Sequence, residues 1–265
     1  MTDLFTAVVL GIVEGLSEFL PISSTGHLII AGELLGYTGE KAASFEVAIQ
    51  LGAILAVVIL YWDRFWGLLR PKPYARFAGL RGIMLLMITS LPASVLGLLV
   101  HGYIKRNLFS PTTVALALGV GAVLMLLVEH RKERPTHMTL DDMTPGLALG
   151  IGLFQCLALW PGFSRSAATM MGGMLLGARR NLAAEYSFIA AVPIMFAATG
   201  YDMLKSWQLF TMADLPFFAV GFVVSFLSAW GAVKIFIGLL GKMTLRPFAW
   251  YRLAVAPLVY YFMAA

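Results

Sequence analysis

A chain of 265 residues that is 60% hydrophobic and only 12% charged, with a mean hydropathy of +0.84, lies far outside the soluble globular range, where roughly a quarter of residues are charged. This excludes a large water-facing domain and points to one all-α polytopic membrane domain, because each crossing helix needs about 20 mostly apolar residues. The net charge of +5 comes without a basic run that could track phosphates along a duplex, which excludes nucleic acid as a partner; the single Cys156 excludes an intrachain disulfide and a cysteine metal cage.

The first helical stretch, about 3–36, carries Asp3, Glu14 and Glu18 among its apolar residues and has no small-residue cleavage site, so it is expected to stay in the mature protein. Glu14 and Glu18 stand four apart, on one face of a half-helix that Pro21 interrupts, and are expected to face one cavity. Ser23, Ser24, Thr25, Gly26 and His27 follow. A serine capping the next half-helix would leave backbone N–H groups free as an anion nest, and Ser24 or His27 could act as nucleophile. Equally, the serines could serve only as caps and His27 only as a donor to a carbonyl.

Apolar spans are predicted at 45–62, 82–100 and 112–128, with Gln50 as a polar candidate for the cavity wall. A second broken helical stretch, 146–177, holds Ser164, Arg165, Ser166 and Thr169 after Pro161. A guanidinium fork and hydroxyls at a helix start suit phosphate oxygens, although Arg165 could instead form a salt bridge to Glu14 or Glu18. Three more spans follow at 183–203, 215–233 and 248–264. Arg252, near the start of the last, is expected to snorkel to an interface, and Asp141 and Asp142 to cap a solvated loop.

Arg64, Arg70, Lys72, Arg76, Arg81, Arg131, Lys132, Arg134, Arg179, Arg180, Lys242 and Arg246 fall on one side if the six spans alternate. Only Lys41, Lys105, Arg106 and Lys205 fall on the other, so the first side is expected to be cytoplasmic. The stretches 3–36 and 146–177 must then be re-entrant hairpins entering from opposite faces. An offset of 140 lays Pro21 on Pro161, Gly32 on Gly172 and Leu35 on Leu175, which divides the chain into inverted repeats of about 1–130 and 140–265.

Glu14, Glu18 and Arg165 facing lipid would together cost roughly 10 kcal/mol, so they are expected in a shared polar cavity. The two carboxylates repel unless a proton is shared, backbone donors satisfy them, or a divalent cation such as Mg²⁺ or Ca²⁺ bridges them; the oxygen-only donors suit the cation.

The segments Glu14-Gly15-Leu16-Ser17-Glu18-Phe19-Leu20-Pro21-Ile22-Ser23-Ser24-Thr25-Gly26-His27 and Pro161-Gly162-Phe163-Ser164-Arg165-Ser166 resemble the bacitracin-resistance type of bacterial undecaprenyl-diphosphate phosphatase. The flanking Gln155-Cys156-Leu157-Ala158-Leu159-Trp160 and the closing Tyr251-Arg252 extend the resemblance over the chain. Ala167 stands where that family usually has glycine. The resemblance implies hydrolysis of a C55 polyprenyl diphosphate to the monophosphate carrier and phosphate, with a divalent cation, in peptidoglycan synthesis. It also implies an inner-membrane, often dimeric protein whose site opens to the periplasm.

Carried over, the important positions are Glu14, Glu18, Ser24, His27 and Arg165, with Ser23, Thr25, Ser164 and Thr169 in support. Two competing functions fit parts of the sequence. Inverted broken helices also build transporters and flippases of anionic lipids. An intramembrane serine protease would use Ser164, but Gly162-Phe163-Ser164-Arg165-Ser166 lacks the closing glycine of a nucleophile elbow.

Overall fold

Residues 4–70, 75–131, 135–206, 211–240 and 243–264 are described by a computed structural model, the side chains of His101, Lys105 and Ser206 excepted. Asp3, Lys72, Tyr74, Lys132, Arg134 and Lys242 lie outside the described residues, as does the side-chain placement of Lys105.

The described residues form α-helices joined by short turns, with no strand among them. In chain order they are α1 (Leu4–Ser17), α2 (Ser24–Leu35), α3 (Glu40–Leu60), α4 (Trp62–Leu69), α5 (Gly79–Tyr103) and α6 (Pro111–His130), then α7 (Pro145–Gln155), α8 (Arg165–Leu175), α9 (Arg180–Ser206), α10 (Leu215–Leu240) and α11 (Arg246–Ala264). Local chemistry sets several starts. Ser110 accepts from Thr113 N and Thr113 Oγ1 accepts from Ser110 N, closing a capping box ahead of Pro111, and Thr144 caps α7 ahead of Pro145.

Five helices, α3, α5, α6, α9 and α10, are long and apolar enough to cross a bilayer, and they coincide with five of the six predicted spans. The protein is thus an all-helical, multi-pass membrane protein. The sixth predicted span forms α11, but Arg252, Pro257 and tyrosines 251, 260 and 261 dilute its apolar run. Leu98 and Leu99 of α5 remain 75% and 78% exposed, a surface that hydrocarbon accepts and water does not.

Each predicted broken stretch is a pair of half-helices in contact, α1 with α2 and α7 with α8. Each pair packs on a long helix from the other half of the chain: α1 lies against α10, and α7 lies against α5. Both contacts are backbone-close. A Cβ on Gly15 would collide with the Ser225 carbonyl, and one on Gly152 would come 2.5 Å from the Thr89 carbonyl. Without water to drive association, such small-residue contacts are what let membrane helices gain dispersion energy. Helix α3 packs on both α10 and α9, and α6 on α11, so the breaks are enclosed by both halves of the chain.

The loop reading holds for Asp142, whose Oδ2 accepts from Met138 N, Thr139 N and Thr139 Oγ1; these donors draw its pKa below the ordinary carboxylate value. Asp141 does more than cap, since it accepts from Phe77 N at 2.6 Å and ties two connections together.

Candidate active site

The first break begins where α1 runs out at Ser17. Glu18 N still bonds the Glu14 carbonyl at 2.9 Å, but Pro21 has no N–H to continue the ladder, and Ile22 N turns back to Leu20 O. Ser23 then adopts φ 72°, and α2 starts at Ser24. The second break opens with a 3₁₀ turn at Cys156–Leu159. It passes through Gly162 at φ 92°, where a Cβ would come 2.6 Å from the Val114 carbonyl, and reaches Ser164 at φ 77° before α8 starts at Arg165.

Ser23 and Ser164 are the described residues other than glycine with positive φ, and each is the N-cap of a half-helix. Such backbones cost about 1–3 kcal/mol each and persist where the surroundings over-determine them. The offset of 140 pairs Ser24 with Ser164; the two positive-φ caps, Ser23 and Ser164, are 141 apart.

Both half-helix starts border one cavity of about 200 Å³. The first break contributes Glu18, Ser23, Ser24 and Thr25; α3 contributes Gln50; the second break contributes Ala158, Pro161, Gly162, Ser164 and Arg165; α9 contributes Met195. The expectation that lipid forces the distant charges together is met directly: Arg165 Nη2 lies 3.1 Å from Glu18 Oε1. The other carboxylate oxygen, Glu18 Oε2, accepts from Ser24 Oγ at 2.6 Å. Arg165 is steadied from behind, with Nη1 donating to Ser187 O at 3.0 Å and its guanidinium carbon 5.3 Å from the Phe19 ring centre.

Several predicted residues do not line the cavity. Glu14 is fully buried and neither carboxylate oxygen has a hydrogen-bond partner, so of the two carboxylates only Glu18 faces the cavity. Ser166 donates to Leu20 O at 2.8 Å, linking the second break to the first, and Thr169 donates to Arg165 O and pairs with Ser187 Oγ at 2.6 Å. Gly26 packs against Leu118 and Val259. His27 has both ring nitrogens engaged. Nδ1 donates to Ser23 O at 2.7 Å, which leaves Nε2 to accept from Tyr251 Oη at 2.7 Å.

The orphaned Glu14 carboxylate provides the test of the expected cation. Among the described residues no group of three or more His, Cys, Asp or Glu gathers around a common point. The carboxylates expected to hold the cation are Glu14 and Glu18, an oxygen-only pair. That donor set fits a hard divalent cation of the kind that keeps waters and takes phosphate oxygens, and Glu14 has two lone-pair-bearing oxygens with nothing else to satisfy them.

The sequence reading missed Ser187, whose type gives no signal; it named Tyr251 only within the closing motif, without its contact to His27, and it misplaced Arg252. That arginine does not snorkel. It is 0% exposed and donates to carbonyls of α6 and of both breaks, which satisfy a guanidinium that has only donors to offer.

Comparison with known proteins adds the following. The chain is 81% identical over 264 residues to an undecaprenyl-diphosphatase of Nitratidesulfovibrio vulgaris (strain DP4), covering 100% of both chains. It is 77% identical to an undecaprenyl-diphosphatase of Maridesulfovibrio salexigens, covering 99% of each, and 51% identical to an undecaprenyl-diphosphatase 1 of Bacillus thuringiensis subsp. konkukian, covering 97% of each. The family model described as bacitracin resistance protein BacA matches residues 7–258. With nearly its whole length matched, the chain belongs to the bacitracin resistance protein BacA family.

Proposed function

We propose that the protein hydrolyses undecaprenyl diphosphate to undecaprenyl phosphate and inorganic phosphate, recycling the lipid carrier of peptidoglycan synthesis and thereby conferring bacitracin resistance. The observation that carries this reading is the chain of contacts Ser24 Oγ to Glu18 to Arg165, held at a cavity between two half-helix starts. An alcohol, a base already bonded to it and a guanidinium fork are the parts that phosphoryl transfer needs.

In the proposed mechanism the terminal phosphate enters between Ser24 and Arg165. Glu18 accepts the Ser24 proton as Oγ bonds to phosphorus, and the P–O bond to the lipid monophosphate breaks, with the departing phosphate oxygen taking that proton from Glu18. Water then attacks the phosphoseryl phosphorus with Glu18, again ionised, taking its proton; the P–Oγ bond breaks, phosphate is released, and Glu18 returns the proton to Ser24 Oγ. Arg165 and the free N–H groups of α2 and α8 neutralise charge on the phosphoryl oxygens. Glu14 and Glu18 would hold the divalent cation, Mg²⁺ or Ca²⁺, which when bound would withdraw charge from those same oxygens. His27 orients Ser23 through its carbonyl, a more natural role than attack given that both nitrogens are engaged. Thr25, Gln50, Ser164 and Ser23 complete the polar wall for substrate, while Ser166, Thr169 and Gly26 hold its shape.

The finer topology belongs to the same proposal. Six spans, with α11 as the sixth, enclose two re-entrant hairpins, α1–α2 and α7–α8, in a single domain of two inverted repeats in the bacterial inner membrane, and the site opens to the periplasm. The exchanged packing of α1 on α10 and α7 on α5 supports the repeat relationship.

The deciding test is phosphate release from undecaprenyl diphosphate by detergent-purified protein supplied with Mg²⁺ or Ca²⁺. Release is expected, since hydrolysis needs no second compartment. A protein that releases none, yet moves anionic lipid between leaflets of proteoliposomes, would be a flippase instead.

A further inference from the structure

Arg252 has no carboxylate within ion-pair distance among the described residues, although it is completely buried. Its nitrogens donate chiefly to main-chain oxygens. Nε bonds Leu118 O at 3.2 Å, and Nη1 reaches Pro21 O at 3.5 Å and Met125 Sδ at 3.8 Å. Nη2 is shared among Ala117 O at 3.2 Å, Gly162 O at 3.3 Å and Phe163 O at 2.8 Å. The guanidinium carbon also sits 5.9 Å from the Phe163 ring centre, the counterpart of Arg165 over Phe19 in the first break.

A buried cation with no acid beside it is costly, and for stability alone an apolar side chain of similar volume would serve as well or better. What an apolar side chain cannot do is bond the carbonyls of two non-helical segments at once. Pro21 lies two residues before the strained Ser23, and Gly162 and Phe163 directly precede the strained Ser164. One rigid, planar group therefore spans both breaks where their caps are set. Helix α6 is kept bare for it: a Cβ on Gly121 would collide with Nη2.

We propose that Arg252 is a positioning residue for phosphoryl transfer, fixing the spacing of the two serine caps, and through them Ser24 and Arg165, by holding the Pro21, Gly162 and Phe163 carbonyls on one guanidinium. This rests on the reading of the site as a phosphatase. Arg252 does not line the cavity, so it acts through the backbone and not on the anion.

The test compares Arg252→Lys and Gly121→Ala with wild type as full-length protein in detergent, measuring kcat, KM, inhibition by inorganic phosphate and monodispersity. Lysine keeps the charge but loses the fork; alanine keeps Arg252 and pushes its guanidinium aside. Both variants are expected to lose between about ten- and a hundredfold in kcat, the scale of an ångström misplacement, with KM and phosphate inhibition changed less than about threefold. Wild-type kcat in Arg252→Lys would overturn the proposal. So would a rise in KM matched by equal loss of phosphate inhibition, which would make Arg252 an anion ligand. If Arg252→Lys does not fold, Gly121→Ala decides, and wild-type turnover there overturns the proposal. Failure of both to give monodisperse protein also overturns it, leaving Arg252 a fold determinant only. Absence of phosphate release by wild type would instead fail the phosphatase reading, before any variant is compared.

Discussion

Arg165 and Glu18 stand 147 residues apart in sequence and 3.1 Å apart in space, each from a different broken helix pair and each with a mostly buried side chain. Neither charge is neutralised locally in its own segment, so each stabilises the other where lipid would accept neither. The same carboxylate that meets Arg165 also accepts from Ser24 Oγ at 2.6 Å, so the proposed anion clamp and the proposed base for Ser24 are in contact.

Arg165→Ala and Glu18→Gln should each lower phosphate release about a hundredfold without loss of fold, the scale of one group that stabilises transition-state charge. Because the two touch, the double variant should lose much less than the product of the single losses. Stopped turnover assays on the three variants check this, and wild-type rates in either single variant would reject its assignment.

Ser24→Ala tests the nucleophile. Acid quenching of wild-type turnover with phosphate-labelled substrate should trap a phosphoseryl peptide containing Ser24, and the variant should trap none and fall to background. Substantial residual hydrolysis by the variant would favour attack by water.

Ser166→Ala removes one of the two donors to Leu20 O, leaving the bond from Ile22 N. A loss of about 0.5–1.5 kcal/mol in stability is expected, the net worth of one hydrogen bond, read as a lower Tm in detergent. KM should not move, because Ser166 does not line the cavity; a raised KM with unchanged Tm would return Ser166 to the substrate contacts.

Ser23 offers a test of stored strain. Its side chain makes no capping bond, so Ser23→Gly gives up no cap and relieves a positive φ. The glycine variant should be stabilised by about 1 kcal/mol, whereas Ser23→Ala should not be. Equal Tm values for the two variants would show that the backbone there is not strained.

Orientation can be read by labelling. In a Cys156→Ser background, cysteine at the exposed Thr38 should react with an impermeant maleimide applied to intact cells, and cysteine at Tyr74 should not. The opposite pattern would reverse the proposed topology.

Five apolar spans, the two breaks and the need for Glu18 and Arg165 to meet were legible in the residues themselves. Hydrocarbon imposes a length on each crossing and a penalty on each charge, and these constraints act on local sequence. The polar side chains at the breaks were legible as a group, but their division of labour was not. Ser24 and Ser166 are both serines beside a break, yet one points at Glu18 and the other at the Leu20 carbonyl.

By itself, then, the sequence determined that this chain lives in a membrane and that Glu18 and Arg165 share one hollow, because composition and the cost of a charge facing lipid favour it. Tertiary structure alone decided that Glu14 sits behind Glu18 and outside the cavity wall, that His27 is held between Ser23 and Tyr251, and that Arg252 reaches inward to both breaks. Those outcomes depend on which carbonyl or hydroxyl lies within about 3 Å of a donor, a relation between remote segments that no local pattern encodes.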